Sequence, residues 1–132
     1  MKILQPDGWP RPKGYSNGIA ASGQTVFLAG LIGWDTEGRF AQGFVAQVRQ
    51  TLLNTVAVLK QAGAGPEHIV RMTWYITDRE AYLTSSKEIG VAYREVIGKT
   101  YPVMAVVQVV ALMESDALVE IETTAVIPRF RP

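Results

Sequence analysis

The chain has 132 residues and a mass of 14.5 kDa, the size of one ordinary domain. It is 48% hydrophobic and 19% charged, with a formal net charge of +1, which excludes a disordered chain and offers no concentrated basic face for nucleic acid. Cysteine is absent, so disulfides and thiol nucleophiles are ruled out, and no charge-free stretch approaches the length of a membrane-spanning helix.

Residues 1–13 lack the apolar core of a secretory signal and carry Pro6, Pro10 and Pro12, so an irregular arm and a cytoplasmic location are expected. Gly18 to Ser22 and Thr25 to Gly30 are short apolar runs joined by Gly23-Gln24, a pattern that predicts a β-hairpin. Leu31 to Trp34 extends the second strand or forms a third, and Asp35 to Gly38 is a turn. From Gly43 the period changes: Phe44/Val45, Val48, Leu52, Val56 and Leu59 recur every three or four residues, predicting one amphipathic helix ended by Gly63 and Gly65-Pro66. His68 to Thr77 reads as a strand, and Asp78 as the N-cap of a second helix that turns Tyr82, Ile89, Ala92/Tyr93 and Val96 inward and stops at Gly98.

The run from Val103 to Met113 contains one polar side chain, Gln108, in eleven residues. Leu118 to Ile127 returns as another strand, and a hairpin of the two follows from the Glu114-Ser-Asp116 turn. The predicted class is α+β in the order β-β-(β)-α-β-α-β-β, one domain over 1–132 with both helices on one face of a mixed sheet. Met104, Val106, Val110 and Leu112 are then expected on the face the helices leave open, which marks an interface or a ligand site. A strand at the centre of a larger core is the alternative, but only two helices are available to build one. The small Arg129/Arg131 cluster reads as a solvated tail.

The chemical inventory is short. One histidine, His68, and no cysteine argue against a zinc site and against a Ser-His-Asp triad, and P-loop and GxGxxG patterns are absent. Glu120 and Glu122 share a face of the last strand, where a carboxylate must be hydrogen-bonded, paired or protonated and could serve as an acid–base group. The plainer reading has one of them at the solvent edge and the other on a backbone group. Tyr15, Trp34, Trp74, Tyr75 and Tyr101 stand at strand ends or in loops, where they are pocket-lining or core.

Several of these segments, in order, carry a resemblance. Lys13 to Ile19 resembles the G-P-Y-S-x-A/G-V opening of the RidA (YjgF) family, and Val26 to Gly30 its V-x-x-S-G strand. Gln47 to Asn54, Ala62-Gly63, Ile69 to Thr73, Asp78, Tyr101-Pro102 and Val119 to Glu122 continue it, from about Gly14 to Ile127. The resemblance implies a chorismate-mutase-like fold and a homotrimer with ligand clefts between subunits. It also implies hydrolysis of enamines and imines to ketones and ammonia, with neither metal nor organic cofactor. It assigns Glu120 to the water, and Tyr15 and Gly30 to the surroundings of the cleft.

The chain departs from the family pattern in two places. Pro102-Val103-Met104-Ala105 has methionine where the family places a carboxylate-gripping arginine, and a thioether cannot form an ion pair. No residue between Thr84 and Gly90 matches the polar cleft residue of the family's second helix. Two hypotheses follow. In one, the protein is a hydrolytic deaminase in which Glu120 handles water, groups near Gly30 and Ala105 hold the substrate, and standard 2-imino acids are poor substrates. In the other, it is a binding or interaction protein whose cleft, floored by Met104 and Val106, takes an uncharged or aromatic ligand. Ribonuclease activity, attached to some family members, is opposed by the near-neutral charge.

Overall fold

Residues 1–129 are described by the computed structural model. The strands are β1 (Lys2–Leu4), β2 (Gly18–Ala20), β3 (Gln24–Phe27), β4 (Leu31–Ile32), β5 (Ile69–Ile76), β6 (Val103–Gln108) and β7 (Val119–Ile127). The helices are α1 (Phe44–Gln61), α2 (Arg79–Thr84) and α3 (Ser86–Val96). The main sheet runs β3-β7-β5-β6, with β4 also pairing with β7. Only β5 and β6 are parallel, because α2 and α3 supply the crossover between them.

Three expectations about pairing are corrected. β6 and β7 do not form a hairpin, since β5 lies between them. The apolar run stops being a strand at Gln108, and residues 109–118 are long enough to carry the chain across β5 to its other edge. β2 pairs with β1 rather than with β3, while β3 pairs with β7. The first segment is therefore not wholly an irregular arm, because Lys2 to Leu4 pairs with Gly18 to Ala20. The second helix is broken. Asp78 caps α2 through its Oδ1, accepting from the Glu80 and Ala81 amides at 3.0 and 3.3 Å, and the chain leaves helical geometry at Ser85 before α3 begins. Arg131 lies outside the described residues, and Arg129 is exposed.

The core forms between the sheet and the helices. Leu52 and Leu59 of α1 meet Ile69, Met72 and Trp74 of β5 and Val119 and Ile121 of β7, all fully or almost fully buried. Each such side chain contributes roughly 1.5–3 kcal/mol on burial. Register places Met104 beside Met72 and Val106 beside Trp74, so both face the helices. This reverses the face assigned from sequence. The open face instead carries Val103, Ala105 and Val107 of β6, Thr73 and Tyr75 of β5, Glu120 and Glu122 of β7, and Phe27 of β3. Val110 and Met113 lie in the β6–β7 connection and are fully exposed.

Buried polar side chains on α1 are hydrogen-bonded. The Thr51 and Thr55 hydroxyls donate to carbonyls four residues back, at 2.7 and 2.9 Å. Buried Gln47 donates to the Asp116 carbonyl at 2.9 Å and accepts from the Leu118 amide at 2.8 Å, fixing α1 to the start of β7. Gln108, the lone polar residue of the apolar run, accepts the Arg79 amide at 2.7 Å and steadies the first turn of α2. Gly33 lets the chain after β4 touch α1: an added methyl would stand 2.7 Å from the Gln47 carbonyl oxygen. That neighbour is helix backbone and cannot step aside, so Gly33→Ala is expected to cost about 1–3 kcal/mol, read as a lowered denaturation midpoint.

Candidate functional site

The segment Lys13 to Ile19 is anchored along the free edge of β6. The Ser16 amide donates to the Pro102 carbonyl at 3.0 Å, its hydroxyl donates to the Tyr101 carbonyl, and Ser16 makes a parallel bridge with Val103. This holds Tyr15 at the rim of a cleft of about 570 Å³ between β5–β6 and α2–α3. Trp74, Met104 and Val106 line its sheet side, and Tyr82, Ile89 and Tyr93 its helix side. Lys13, Gly14, Tyr15, Ser86 and Arg94 are its exposed lining residues.

Aromatic contacts fix the interior of the cleft. Trp74 meets Tyr82 edge-on at 6.3 Å between ring centres, and Tyr93 stacks on Tyr101 at 6.0 Å. The Tyr93 hydroxyl donates to the Thr100 carbonyl at 2.6 Å. Burial pushes the phenols of Tyr82 and Tyr93 up from their ordinary range, so both stay neutral at physiological pH. The Trp74 indole N–H is buried without an acceptor, one of two such side-chain groups among the described residues. No carboxylate is among the lining residues.

Glu120 and Gly30 stand elsewhere, on the open face of the sheet. Glu120 pairs in register with Ile32 and Tyr75, and its half-buried side chain lies directly over Gly30, where any Cβ would collide with the carboxylate. Among the described residues it makes no side-chain hydrogen bond and no ion pair. Glu122 differs: it accepts the Tyr75 hydroxyl at 2.7 Å, and that bond, with desolvation and the nearby carboxylates, pushes the phenol up. The two glutamates that look alike in sequence are thus separated by their partners.

One chain therefore brings the expected site residues together in two groups. Tyr15, Met104 and Ala105 share a groove at the β6 edge with Arg71 and Thr73, while Gly30 and Glu120 are coupled on the open face. Arg94 and Arg71 were missed from the sequence. Their spacing carries no signal, since only the α2–α3 crossover and the β5 register bring them beside Met104 and Val103. His68 is occupied structurally: it lies in a short turn before β5, not in the strand, and its Nδ1 accepts the Gly65 amide at 3.0 Å. Among the described residues no cluster of His, Asp or Glu has the makings of a metal site.

Comparison with known proteins accords with this arrangement. The model of the Endoribonuclease L-PSP family matches residues 10–127. A RutC family protein of Synechocystis is 36% identical over 97% of this chain and 98% of its own. The human 2-iminobutanoate/2-iminopropanoate deaminase is 29% identical over 85% of this chain and 79% of its own. Among solved structures, the Rid protein YyfB from Yersinia pestis superposes with a TM-score of 0.83 at 28% identity, covering 96% of this chain and 98% of its own. TdcF from E. coli, solved with bound serine, gives 0.68 at 29% identity, covering 96% and 98% of the two chains. A match that spans the sheet, the helices and the segment around Tyr15 places this chain in the RidA/YjgF family, with the α+β fold of that family.

Proposed function

We propose that the protein hydrolyses imine- or enamine-type small molecules in a cleft completed between copies of the chain, arranged as a homotrimer. The observation that carries the reading is Glu120, a half-buried carboxylate with no side-chain partner among the described residues, seated over Gly30. Such a group is free to take a proton from water as the water oxygen bonds to the imine carbon, and to hand that proton to the nitrogen, which takes up the C=N π pair, giving a carbinolamine. In the collapse of the carbinolamine Glu120 takes the hydroxyl proton as the C=O bond forms and delivers it to the nitrogen as the C–N bond breaks, releasing the ketone and ammonia. Atoms balance with water as the only co-reactant, so no cofactor is required.

Within one chain Glu120 and Met104 lie on opposite faces of the sheet, so a site using both needs a second copy. The open face supports this, since Phe27 is 77% exposed and Val107 is 42% exposed on it. The edge of β6 beyond Val103 is also unpaired among the described residues. The human relative's name and the serine held by TdcF favour a small nitrogen-bearing substrate. Met104 stands where the resemblance places an arginine, and short 2-imino acids are expected to be poor substrates.

Sedimentation velocity should give three times the 14.5 kDa chain mass. Imines released by an amino-acid oxidase should disappear faster with the protein than in buffer, followed by semicarbazide trapping. A non-catalytic binding protein is the second reading, favoured by the lack of any carboxylate in the cleft beside Met104. A monomer, or a trimer that leaves every imine at its buffer rate, would decide for it.

A further inference from the structure

We infer that the cleft between β5–β6 and α2–α3 binds a carboxylate with an aromatic or branched apolar body, and that Arg94 holds the anion. Four observations converge on this ligand. The interior is aromatic and aliphatic, formed by Trp74, Tyr82, Ile89, Tyr93, Met104 and Val106, and suits an apolar body. Its ionisable rim is cationic, with Lys13 and Arg94 and no acid. The guanidinium of Arg94 has no acidic partner among the described residues, whereas the neighbouring Glu95 is engaged by Arg49. It folds back over α3, where Gly90 leaves room: a methyl there would meet its Nη1 at 3.1 Å.

The fourth observation is the indole of Trp74. It is 2% exposed, lines the cleft and has an N–H with no acceptor. A buried donor left unmade is costly, and an acceptor on the ligand would satisfy it. Met104 makes the sheet side of the cleft neutral, and Arg94 restores a fixed charge from the helix across it. A ligand must then be long enough to rest on Met104 and still present its carboxylate to the helix. A two- or three-carbon acid cannot do both, whereas an arylalkyl acid can.

This deepens the proposed function by naming the ligand class of the same cleft, but it concerns recognition and not turnover. Titration calorimetry on the full chain would use 3-phenylpropanoate, 3-phenylpropanamide and propanoate. The aromatic acid should bind about ten-fold more tightly than either the amide or propanoate, as a charge-assisted contact joined to apolar burial requires. Arg94→Gln should weaken the acid by about ten-fold and leave the amide within about two-fold. Lys60→Gln, at the exposed end of α1, should leave both unchanged, and Arg71→Gln, which removes the cation of the neighbouring groove, should cost the acid less than Arg94→Gln. In a nitrogen-15 spectrum the Trp74 indole resonance should move on adding the acid. Equal binding of acid and amide, no binding of either, a loss that follows Arg71 instead of Arg94, or a stationary Trp74 resonance overturns the inference. Intact Arg94-dependent binding without imine hydrolysis would sink the proposed reaction alone. Hydrolysis indifferent to Arg94 would sink this inference alone.

Discussion

Glu120→Gln is expected to lower imine turnover by about 10²–10⁴-fold, the range for removing a positioned acid–base group, with KM little changed. The substitution is nearly isosteric and breaks no side-chain hydrogen bond or ion pair among the described residues. Thermal unfolding should therefore stay within about 0.5 kcal/mol of the parent, as for a surface change. Glu122→Gln is the matched control, because its carboxylate is already occupied by the Tyr75 hydroxyl and it sits one strand period further along the same face. It should keep most of the activity. If the two variants lose activity equally, the open face acts through general electrostatics and Glu120 has no special part. If neither does, the protein is not a deaminase of this kind. Gly30→Ala offers an independent route to the same atom. Its methyl displaces the Glu120 carboxylate, the far end of a flexible side chain, so the lesion should fall on kcat before it falls on stability.

Local chemistry was legible in the sequence wherever one element decided it. The period from Phe44 to Leu59 gave α1, Asp78 gave the start of α2, and Gly63 the end of the first helix. Pairing was not legible, because strand neighbours are chosen by tertiary packing. Val103 to Gln108 is apolar on both faces, so alternation could not say which side meets the helices, and Met104 and Val106 were placed on the wrong one. The Glu114-Ser-Asp116 turn suggested a hairpin, yet β7 lies on the far side of β5. The site residues followed the same rule. Tyr15, Gly30, Met104, Ala105 and Glu120 came from ordered motifs, whereas Arg94 belongs to no motif and Arg71, within the Ile69 to Thr73 segment, carried no role there. The division of the set between two faces of the sheet emerged only with the register of β4, β5 and β7.

Met104→Arg should raise kcat/KM for 2-iminobutanoate by about 30- to 10³-fold, the equivalent of about 2–4 kcal/mol from a bidentate contact with the substrate carboxylate. Met104 is half-buried and borders both the helix-side cleft and the groove that holds Tyr15 and Ala105, so a longer side chain can extend toward solvent without opening the core. The new guanidinium would meet Lys13 and Arg94 at the rim and no carboxylate, so the free protein should lose about 1 kcal/mol of stability through unpaired like charge. A bound carboxylate relieves that penalty, and the stabilisation conferred by short 2-oxo acids should therefore be larger in the variant than in the parent. Preference should invert as well. The variant gains the small imino acid and loses affinity for 3-phenylpropanoate, because the arginine takes the space against which an aromatic body would rest. A variant that folds, assembles and still ignores 2-iminobutanoate would mean that Glu120 does not handle water. The binding-protein reading would then stand, and Met104 would record a cleft whose chemistry had been given up and whose ligand had changed.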